Sequence, residues 1–336
     1  MATYRAVLLQ GKGGLDQLKE AELELEPPRA GEVRIRVRAT GAGFTDIIMR
    51  TGYYPYRPSF PFPPGYDVVG DVDAVGEGVT SLRVGQRVAA LSVTGGCAEY
   101  LTRAEDEFVA VPDGLDDAEA VALVLNYVTA WQMIHRSAAM KPGQTALVTG
   151  ANGGVGTALL ELLRLHGVRA IGAASAKSFD LVKSYDADPI DGRGAPLDEQ
   201  VRAIVPDGVD AAFDGLGGKT TGECIRATKK GGIVVAYGFT AVSGASASNL
   251  GTLRGAAALF AGAFLAGRRS PFYGITQIYR KDKSSFREDL PKLFALLAEK
   301  KLAPKIADRL PLFAAREAQE RLLAGGITGK LVLVAG

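Results

Sequence analysis

The stretch Thr145-Ala-Leu-Val-Thr-Gly150-Ala-Asn-Gly-Gly154-Val-Gly156 decides the fold of this chain. Five residues typical of a buried strand run into a glycine turn, and an apolar helix pattern follows over residues 155–165. A strand, a tight glycine turn and a helix N-terminus form a site for a diphosphate, because free backbone N–H groups and the helix dipole point at the anion. The stretch therefore predicts a unit that binds a dinucleotide.

The spacing of the glycines is G-x-x-G-x-x-G rather than the common G-x-G-x-x-G. A glycine cluster alone is a weak signal, since any tight strand-to-helix turn uses one. The strand before it and the helix after it make the signal stronger. The expected cofactor contacts in this turn are Gly150, Gly153, Gly154, Val155 and Gly156.

The end of the next predicted strand, residues 170–173, indicates which dinucleotide binds. NAD-binding folds carry an Asp or Glu about 20 residues past the first glycine, where it bonds the ribose 2′-hydroxyl. Here the strand is followed by Ser175-Ala-Lys177-Ser178, with no acid. Hydroxyls and an ammonium suit a 2′-phosphate, which a carboxylate would repel. We therefore predict NADPH, with Ser175, Lys177 and the later Arg193 as phosphate contacts; a solvated role for Lys177 stays open.

Two later strands also run into glycines and would line the same cofactor site. Residues 211–214 lead into Asp214-Gly215, and residues 233–237 lead into Tyr237-Gly238-Phe239. The carboxyl ends of parallel strands border the cofactor crevice, and glycines there allow close approach of the backbone to the ribose and nicotinamide. The additional expected contacts are Asp214, Gly215, Tyr237, Gly238 and Phe239.

Strand and turn signals fill the first 120 residues, and strands alternate with helices after that. Short strands in the first part predict a partly closed antiparallel barrel. They are expected at 32–38, 67–75, 87–91 and 108–111. The alternation in the second part predicts a doubly wound parallel sheet, so the fold class is α/β. Its strands are expected at 146–149, 170–173, 211–214 and 233–237, its helices at 155–165, 179–185, 197–204 and 220–227, with a further helix at 282–300 and a strand at 329–334.

Bulk composition makes several classes of protein and partner improbable. A net charge of +2 gives no general reason to expect nucleic acid, and two cysteines cannot build a disulfide framework or a multi-cysteine zinc site. The most apolar stretch, 255–267, is shorter than the roughly 20 residues that a membrane-spanning helix needs. We interpret it as a core or interface helix. The first residues lack an apolar signal core, so we expect a cytoplasmic protein without membrane or nucleic-acid partners.

Further motifs extend over essentially the whole chain and occur in one order. They are Arg50-Thr-Gly52-Tyr-Tyr54, Pro63-Pro-Gly65-Tyr-Asp67-Val-Val-Gly70, Val75-Gly-Glu-Gly-Val79, Gly85-Gln-Arg-Val88, Ala98-Glu99-Tyr100, Thr129-Ala130, Phe213-Asp214 and Gly329-Lys330-Leu-Val-Leu, together with the turn at 150–156. With them the chain resembles the zinc-free, quinone oxidoreductase-like branch of the medium-chain dehydrogenase/reductase superfamily. The resemblance implies a GroES-like β-barrel catalytic domain over 1–121 and 306–336, a Rossmann NADPH-binding domain over 122–305, and a homodimer.

The resemblance also bears on metal binding, because the zinc ligands of alcohol dehydrogenases in that superfamily are missing. Gly43 stands where their first cysteine ligand would be, and their Gly-His-Glu is Gly65-Tyr66-Asp67 here. A catalytic zinc needs about three converging N, S or O ligands. The two histidines, His135 and His166, lie in helix-like patterns away from these motifs. We therefore expect no metal.

Without a Lewis acid, hydride adds more easily to a quinone or an enone than to an unactivated ketone, because conjugation spreads the developing charge. The resemblance places Tyr54 near the nicotinamide, so we expect it to be the proton or hydrogen-bond donor; a purely structural aromatic role stays equally open. It also implies that Asn126 and Thr129, at the family's domain junction, bind the cofactor and that Lys330 approaches its phosphate. The alternative for Thr129 is packing of the helix, and the alternative for Lys330 is an exposed charge.

The predicted function is therefore a zinc-independent, NADPH-dependent reductase of a small quinone or α,β-unsaturated carbonyl compound. One alternative is an enoyl-thioester reductase, whose CoA- or carrier-bound substrate would meet the basic segment 268–283. Another is a protein that binds NADPH without turnover, since the sequence contains no committed nucleophile or acid–base dyad.

Overall fold

The computed structural model describes residues 2–238 and 262–336, which form two compact units. Unit 1 comprises Met1–Val128 and Thr276–Gly336, and unit 2 comprises Thr129–Ile275. The boundaries expected from the sequence, 121/122 and 305/306, differ from these at both junctions. Residues 276–305 group with unit 1 because their long helix packs against a strand and a helical turn of that unit. Phe239, and residues 255–261 of the apolar stretch, lie outside the described residues.

Unit 1 is built on a largely antiparallel sheet. Its strands are β1 (Thr3–Leu9), β2 (Leu18–Glu24), β3 (Glu32–Ala42), β4 (Val68–Val75), β5 (Arg87–Ala90), β6 (Tyr100–Ala104), β7 (Phe108–Ala110), β13 (Ile306–Pro311) and β14 (Lys330–Val334). Seven of them form one sheet in the order β13-β14-β3-β4-β5-β7, with β6 paired to β3, while β1 and β2 form a separate two-stranded sheet. Over residues 32–38, β3 alternates buried residues with partly or fully exposed ones, as the period-two pattern predicts.

Unit 2 contains the parallel sheet that the strand–helix rhythm predicts. Its strands are β8 (Thr145–Thr149), β9 (Arg169–Ala174), β10 (Asp188–Asp191), β11 (Val209–Asp214) and β12 (Thr228–Ala236). Their order is β10-β9-β8-β11-β12, and every pair is parallel. Strand order reverses between β8 and β11, and ligands of such sheets bind at the carboxyl ends of the strands at that point. The glycine turn after β8 and the Asp214 turn after β11 both lie there.

Helices connect the strands. They are α1 (Phe44–Arg50), α2 (Asp117–Ala122), α3 (Val128–Gln132), α4 (Gly154–Leu165), α5 (Phe179–Ser184), α6 (Leu197–Ile204), α7 (Lys219–Ala227), α8 (Ile275–Lys281), α9 (Ser284–Ala298) and α10 (Ala315–Ala324). The helices expected between the strands of unit 2, and the long helix near the end of the chain, are all present. The fold class is confirmed.

Candidate cofactor and acceptor site

The turn after β8 is packed so tightly that it requires glycine. Gly150 adopts a left-handed φ of 60°, a conformation that glycine reaches without steric cost. A Cβ at Gly156 would lie 2.2 Å from the carbonyl oxygen of Gly150, whereas one at Gly153 would lie 3.3 Å from the same atom. The start of α4 therefore sits directly against the end of β8, the arrangement that brings a helix N-terminus to a bound diphosphate.

The N-terminus of α4 also leaves backbone donors available. The residue that precedes its first turn is Gly153, and no side chain caps the helix. The N–H groups of a first helical turn have no acceptor within the helix, and here they belong to Gly154, Val155 and Gly156. Three adjacent N–H groups at the positive end of a 12-residue helix fit a diphosphate.

The residues expected at the 2′-phosphate meet at one edge of the sheet. Strand β10 pairs with β9 so that Asp191 lies beside Ala174, and the Gly192 N–H donates to the Ala174 carbonyl oxygen at 2.9 Å. The turn that carries Arg193 thus runs alongside Ser175 and Lys177. The Lys177 and Arg193 side chains are exposed, and neither forms an ion pair with a carboxylate in residues 2–238 or 262–336. Two uncommitted cations beside a serine fit a phosphate.

Asp214, expected as a cofactor contact, instead organises the turn that follows it. Its carboxylate is fully buried and accepts hydrogen bonds from the Thr149 hydroxyl at 2.9 Å and the Thr221 hydroxyl at 2.6 Å. The N–H of Leu216 donates to the same carboxylate at 3.1 Å. Because these bonds occupy its oxygens inside unit 2, Asp214 shapes the glycine turn. Sequence reasoning missed Thr149, whose hydroxyl also accepts the Gly215 N–H.

Gly215 and Gly238 are explained by contacts within unit 2. A Cβ at Gly215 would lie 2.7 Å from the Tyr237 hydroxyl oxygen, and one at Gly238 would lie 2.4 Å from the Gly215 carbonyl oxygen. Neighbouring protein atoms already require glycine at both positions, and the close approach to a ribose and nicotinamide stays a prediction. Burial, followed by the charge of Asp214, raises the pKa of Tyr237, so its phenol stays neutral.

Thr129 has a buried hydroxyl that forms no hydrogen bond with any described residue. Its side chain and that of Asn126 are both buried. A buried hydroxyl without a partner is costly, and a polar group of a ligand would relieve that cost. The expected contact between Thr129 and the cofactor therefore fits this position.

Tyr54 belongs to a cluster of three hydroxyl groups in unit 1. Its hydroxyl oxygen lies 2.6 Å from that of Tyr66 and 2.7 Å from that of Thr276, and the Tyr66 and Thr276 hydroxyls are also in direct contact. Tyr54 is partly exposed, whereas Tyr66 and Thr276 are buried. Burial raises the pKa of Tyr54, while hydrogen bonds from Thr276 and Tyr66 work against that rise.

Lys330 is neither exposed nor without a partner. Its side chain is 4% exposed, and its Nζ lies 2.5 Å from Oδ2 of the fully buried Asp67. Asp67 Oδ1 accepts the Gly41 N–H at 3.0 Å. The ammonium therefore neutralises a buried carboxylate within unit 1, which differs from the phosphate contact and from the exposed charge that we considered. The two residues are 263 positions apart in the chain, so no local signal marks them as a pair.

Asp46 is a second buried carboxylate in the same unit. It accepts the Gly43 N–H at 3.0 Å and the Gly65 N–H at 3.1 Å, and so ties the residue before Tyr66 to the start of α1. Burial raises its pKa to about 6 against the effect of these two hydrogen bonds. Burial also raises the pKa of the nearby Cys97 thiol, which makes it an unreactive packing residue.

The positions of zinc ligands in alcohol dehydrogenases have other roles here. Gly43 has no side chain, and the Tyr66 hydroxyl belongs to the cluster with Tyr54. His135 packs its ring between those of Trp131 and His166, with centroid distances of 4.1 and 4.6 Å. Among the described residues, no group of three or more His, Cys, Asp or Glu side chains is arranged to hold a metal ion.

The same part of the chain contains no helix with the length and apolar character to span a bilayer.

Comparison with known proteins matches both parts of the chain to dehydrogenase families. Residues 29–116 match the alcohol dehydrogenase GroES-like domain, and residues 180–333 match the zinc-binding dehydrogenase family. The synaptic vesicle membrane protein VAT-1 homolog-like of Mus musculus is 30% identical over 98% of this chain and 81% of its own length. The quinone oxidoreductase of Rattus norvegicus is 28% identical over 98% of this chain and 97% of its own length.

The chain belongs to the quinone oxidoreductase-like branch of the medium-chain dehydrogenase/reductase superfamily. Solved structures of this branch share its fold. The quinone oxidoreductase of Pseudomonas syringae superimposes with a TM-score of 0.87 at 27% identity, covering 98% of this chain and 99% of the other. A mycobacterial protein solved in complex with NADPH gives a TM-score of 0.85 at 27% identity, with the same coverage.

Not every relative in this branch is matched over its full length. The VAT-1 homolog of Danio rerio is 36% identical over 74% of this chain, but the match spans only 52% of that relative. The matches to the mammalian VAT-1 homologs span between 59% and 61% of the length of those relatives. The branch is therefore established, whereas the activity of the whole protein is a matter for proposal.

The basic segment 268–283, considered as a contact for a carrier phosphate, has most of its charges engaged within the fold. The Arg268 guanidinium donates to the carbonyl oxygens of Thr228 and Ala266, at 2.6 and 2.9 Å. Arg280 lies over the Tyr56 ring, and Lys283 pairs with Asp106 at 2.7 Å. Arg268 thus has a structural role that its position in the sequence did not reveal.

Proposed function

We propose that the chain is an NADPH-dependent oxidoreductase that transfers hydride, without zinc, to a quinone or to the C=C bond of an α,β-unsaturated carbonyl compound. The observation that carries this proposal is the uncapped glycine turn of unit 2, together with the exposed cations Lys177 and Arg193 beside Ser175 in the same unit. Membership in the quinone oxidoreductase-like branch, and the NADPH found in a relative's structure, support it. A small electrophile is the expected partner, and a homodimer the expected assembly.

The residues of unit 2 would divide the recognition of NADPH among them. The N–H groups at the start of α4 would bind the diphosphate, since the helix dipole and the missing cap both favour an anion there. Ser175, Lys177 and Arg193 would hold the 2′-phosphate, which NADH lacks. The unpartnered Thr129 hydroxyl would bond a further polar atom of the cofactor. NADPH supplies the hydride when it is bound.

Tyr54 would meet the oxygen of the acceptor. When hydride adds to a quinone or to the β-carbon of an enone, negative charge develops on that oxygen, and a fixed hydrogen-bond donor stabilises it. Tyr54 is the one partly exposed residue of its cluster, and its hydroxyl stays protonated at neutral pH, because burial raises its pKa. Conjugated acceptors suit this arrangement, since they need a donor to the oxygen and no Lewis acid.

The test measures the rate at which NADPH absorbance falls when each member of a panel of quinones and enones is added. The same assay is run with NADH as the alternative cofactor. We expect turnover with NADPH and a loss of about 100-fold in kcat for Tyr54→Phe, the scale on which a single donor to a developing oxyanion acts. Tyr185→Phe, in unit 2 away from the glycine turn, is the matched control and retains activity. Absence of turnover with every acceptor and both cofactors would contradict the proposal.

The same assay separates the two alternative functions. An enoyl-thioester reductase would reduce an enoyl-CoA far better than the corresponding free enone, and it would lose that advantage with the dephospho-CoA ester. This comparison avoids substituting Arg268, whose bonds to backbone carbonyls would confound the result. A protein that binds NADPH without turnover would show saturable binding by nicotinamide fluorescence and no reduction of the panel.

A further inference from the structure

The hydroxyl cluster of unit 1 brings together residues that are far apart in the chain. Tyr54 and Tyr66 belong to the loop between α1 and β4, whereas Thr276 lies 222 positions after Tyr54, in the first turn of α8. All three hydroxyl oxygens are in mutual hydrogen-bond contact. The proposed donor is therefore held by two further groups, one from its own loop and one from α8.

Helix α8 contacts the tyrosine loop at two points on one face. Thr276 and Arg280 are four residues apart, so they lie on the same side of the helix. Thr276 meets the Tyr54 hydroxyl, and the Arg280 guanidinium carbon lies 5.3 Å from the centre of the Tyr56 ring. Tyr56 in turn packs edge-on against Tyr54, with ring centroids 5.8 Å apart. The Tyr54 ring and its hydroxyl are thus both fixed with respect to α8.

A count of hydrogens shows what the cluster does when Tyr54 donates to a ligand. Three hydroxyls carry three hydrogens, and the hydrogen of Tyr54 then points out of the cluster. The hydrogens of Tyr66 and Thr276 remain inside, because among the described residues these two hydroxyls bond only each other and Tyr54. The contact between Tyr66 and Thr276 can take only one of them. At least one hydrogen must therefore point at the Tyr54 oxygen, and it stabilises the negative charge that grows there as Tyr54 donates.

We propose that Thr276 and Tyr66 are positioning residues for acceptor reduction, whose hydroxyl hydrogens hold the Tyr54 oxygen so that its own hydrogen points at the acceptor oxygen. The kinetic consequence rests on the proposed function, whereas the effect on the Tyr54 phenol does not. Neither residue needs to touch the acceptor. Thr276 is the sharper test, because a change from threonine to valine removes the hydroxyl and retains the shape of the side chain.

The kinetic experiment compares Thr276→Val and Thr276→Ser in the full-length protein with NADPH and an enone or quinone that the wild type reduces. We expect Thr276→Val to lower kcat on the order of 5- to 10-fold, the value of one net hydrogen bond, with little change in the KM for NADPH. Thr276→Ser retains the hydroxyl and restores most of kcat. Thr228→Val is the control, because its buried hydroxyl bonds the Cys224 carbonyl oxygen at 2.7 Å in unit 2.

A second measurement needs no turnover, so it stays decisive even if the proposed function fails. Protein with 13C in the tyrosine ring carbon that bears the hydroxyl is titrated by NMR, and Tyr54→Phe assigns the Tyr54 resonance. Thr276→Val is expected to move the titration of Tyr54 to higher pH, because a hydrogen bond to its phenolate is lost, whereas Thr276→Ser and Thr228→Val leave it in place. An unchanged Tyr54 titration in folded Thr276→Val, or equal kcat values for Thr276→Val and wild type, would overturn the proposal.

Discussion

Replacing Asp46 by Asn is expected to change how the stability of unit 1 depends on pH. Burial raises the pKa of Asp46 from 3.8 to about 6. The folded state therefore keeps a proton that the unfolded chain releases near pH 4, and stability falls as pH rises through this window. At about 1.4 kcal/mol per pKa unit, ionised Asp46 lowers the free energy of unfolding by about 3 kcal/mol at neutral pH.

The variant has no such ionisation, but it carries a constant cost. Asp46 accepts two backbone N–H groups through its two oxygens, and an Asn amide can accept only one of them, which costs about 1–3 kcal/mol at every pH. Measured by denaturation of the full chain, the stability of Asp46→Asn relative to wild type should thus improve by roughly 3 kcal/mol from below pH 4 to above pH 7. Asp180→Asn, at an exposed carboxylate, is the control. A stability difference between Asp46→Asn and wild type that is independent of pH, or that moves in the opposite direction, would refute the reasoning.

Three further predictions concern the cofactor turn and the buried ion pair. Gly156→Ala weakens NADPH binding, measured by fluorescence titration, by at least about tenfold, because its Cβ would lie 2.2 Å from a backbone carbonyl oxygen of the turn. Lys177→Ala combined with Arg193→Ala weakens NADPH binding by about 10- to 100-fold, and leaves NADH binding unchanged. Lys330→Met lowers the free energy of unfolding by about 3–5 kcal/mol, because it leaves the buried Asp67 charge unpaired.

Each of these changes has a matched control in the chain. Gly153→Ala places its Cβ 3.3 Å from the same oxygen, so it should weaken binding less than Gly156→Ala. Lys183→Ala removes an exposed lysine of α5. It should leave the ratio of the NADPH and NADH affinities unchanged. Lys301→Met breaks an exposed ion pair with Glu299, which costs about 0–1 kcal/mol. Equal effects within any of these pairs would contradict the corresponding prediction.

The parallel sheet could be predicted from the sequence because its signals are local. Strand β8 is a mostly apolar run followed at once by Gly150, and β11 is likewise followed at once by Gly215. Strands β9 and β12 end in apolar runs that lead into Ser175 and into Tyr237-Gly238. Strand β10 was not among the expected strands; it has only four residues and includes Pro189. Proline is tolerated there because β10 is the edge of the sheet.

The side-chain clusters could not be predicted in the same way, because their members come from distant elements. The sequence indicated Tyr54 as a donor, but Thr276 lies in a stretch without clear periodicity. Lys330 resembles a phosphate contact in sequence, yet β14 places it beside β3 and against Asp67. Asp214 likewise ends a strand at the expected position, and only the fold shows that Thr149 and Thr221 bond its carboxylate. Local patterns therefore located the turns, and tertiary contacts determined which side chains remain available to a ligand.

The most direct measurement supplies NADPH deuterated at its transferable hydrogen together with an enone, and follows the label in the product by NMR. Hydride transfer to a conjugated acceptor predicts deuterium on the former β-carbon, one per NADPH consumed, and a large loss of rate for Tyr54→Phe. Bound NADPH that is never consumed, or a product without deuterium at that carbon, would contradict the proposed reaction.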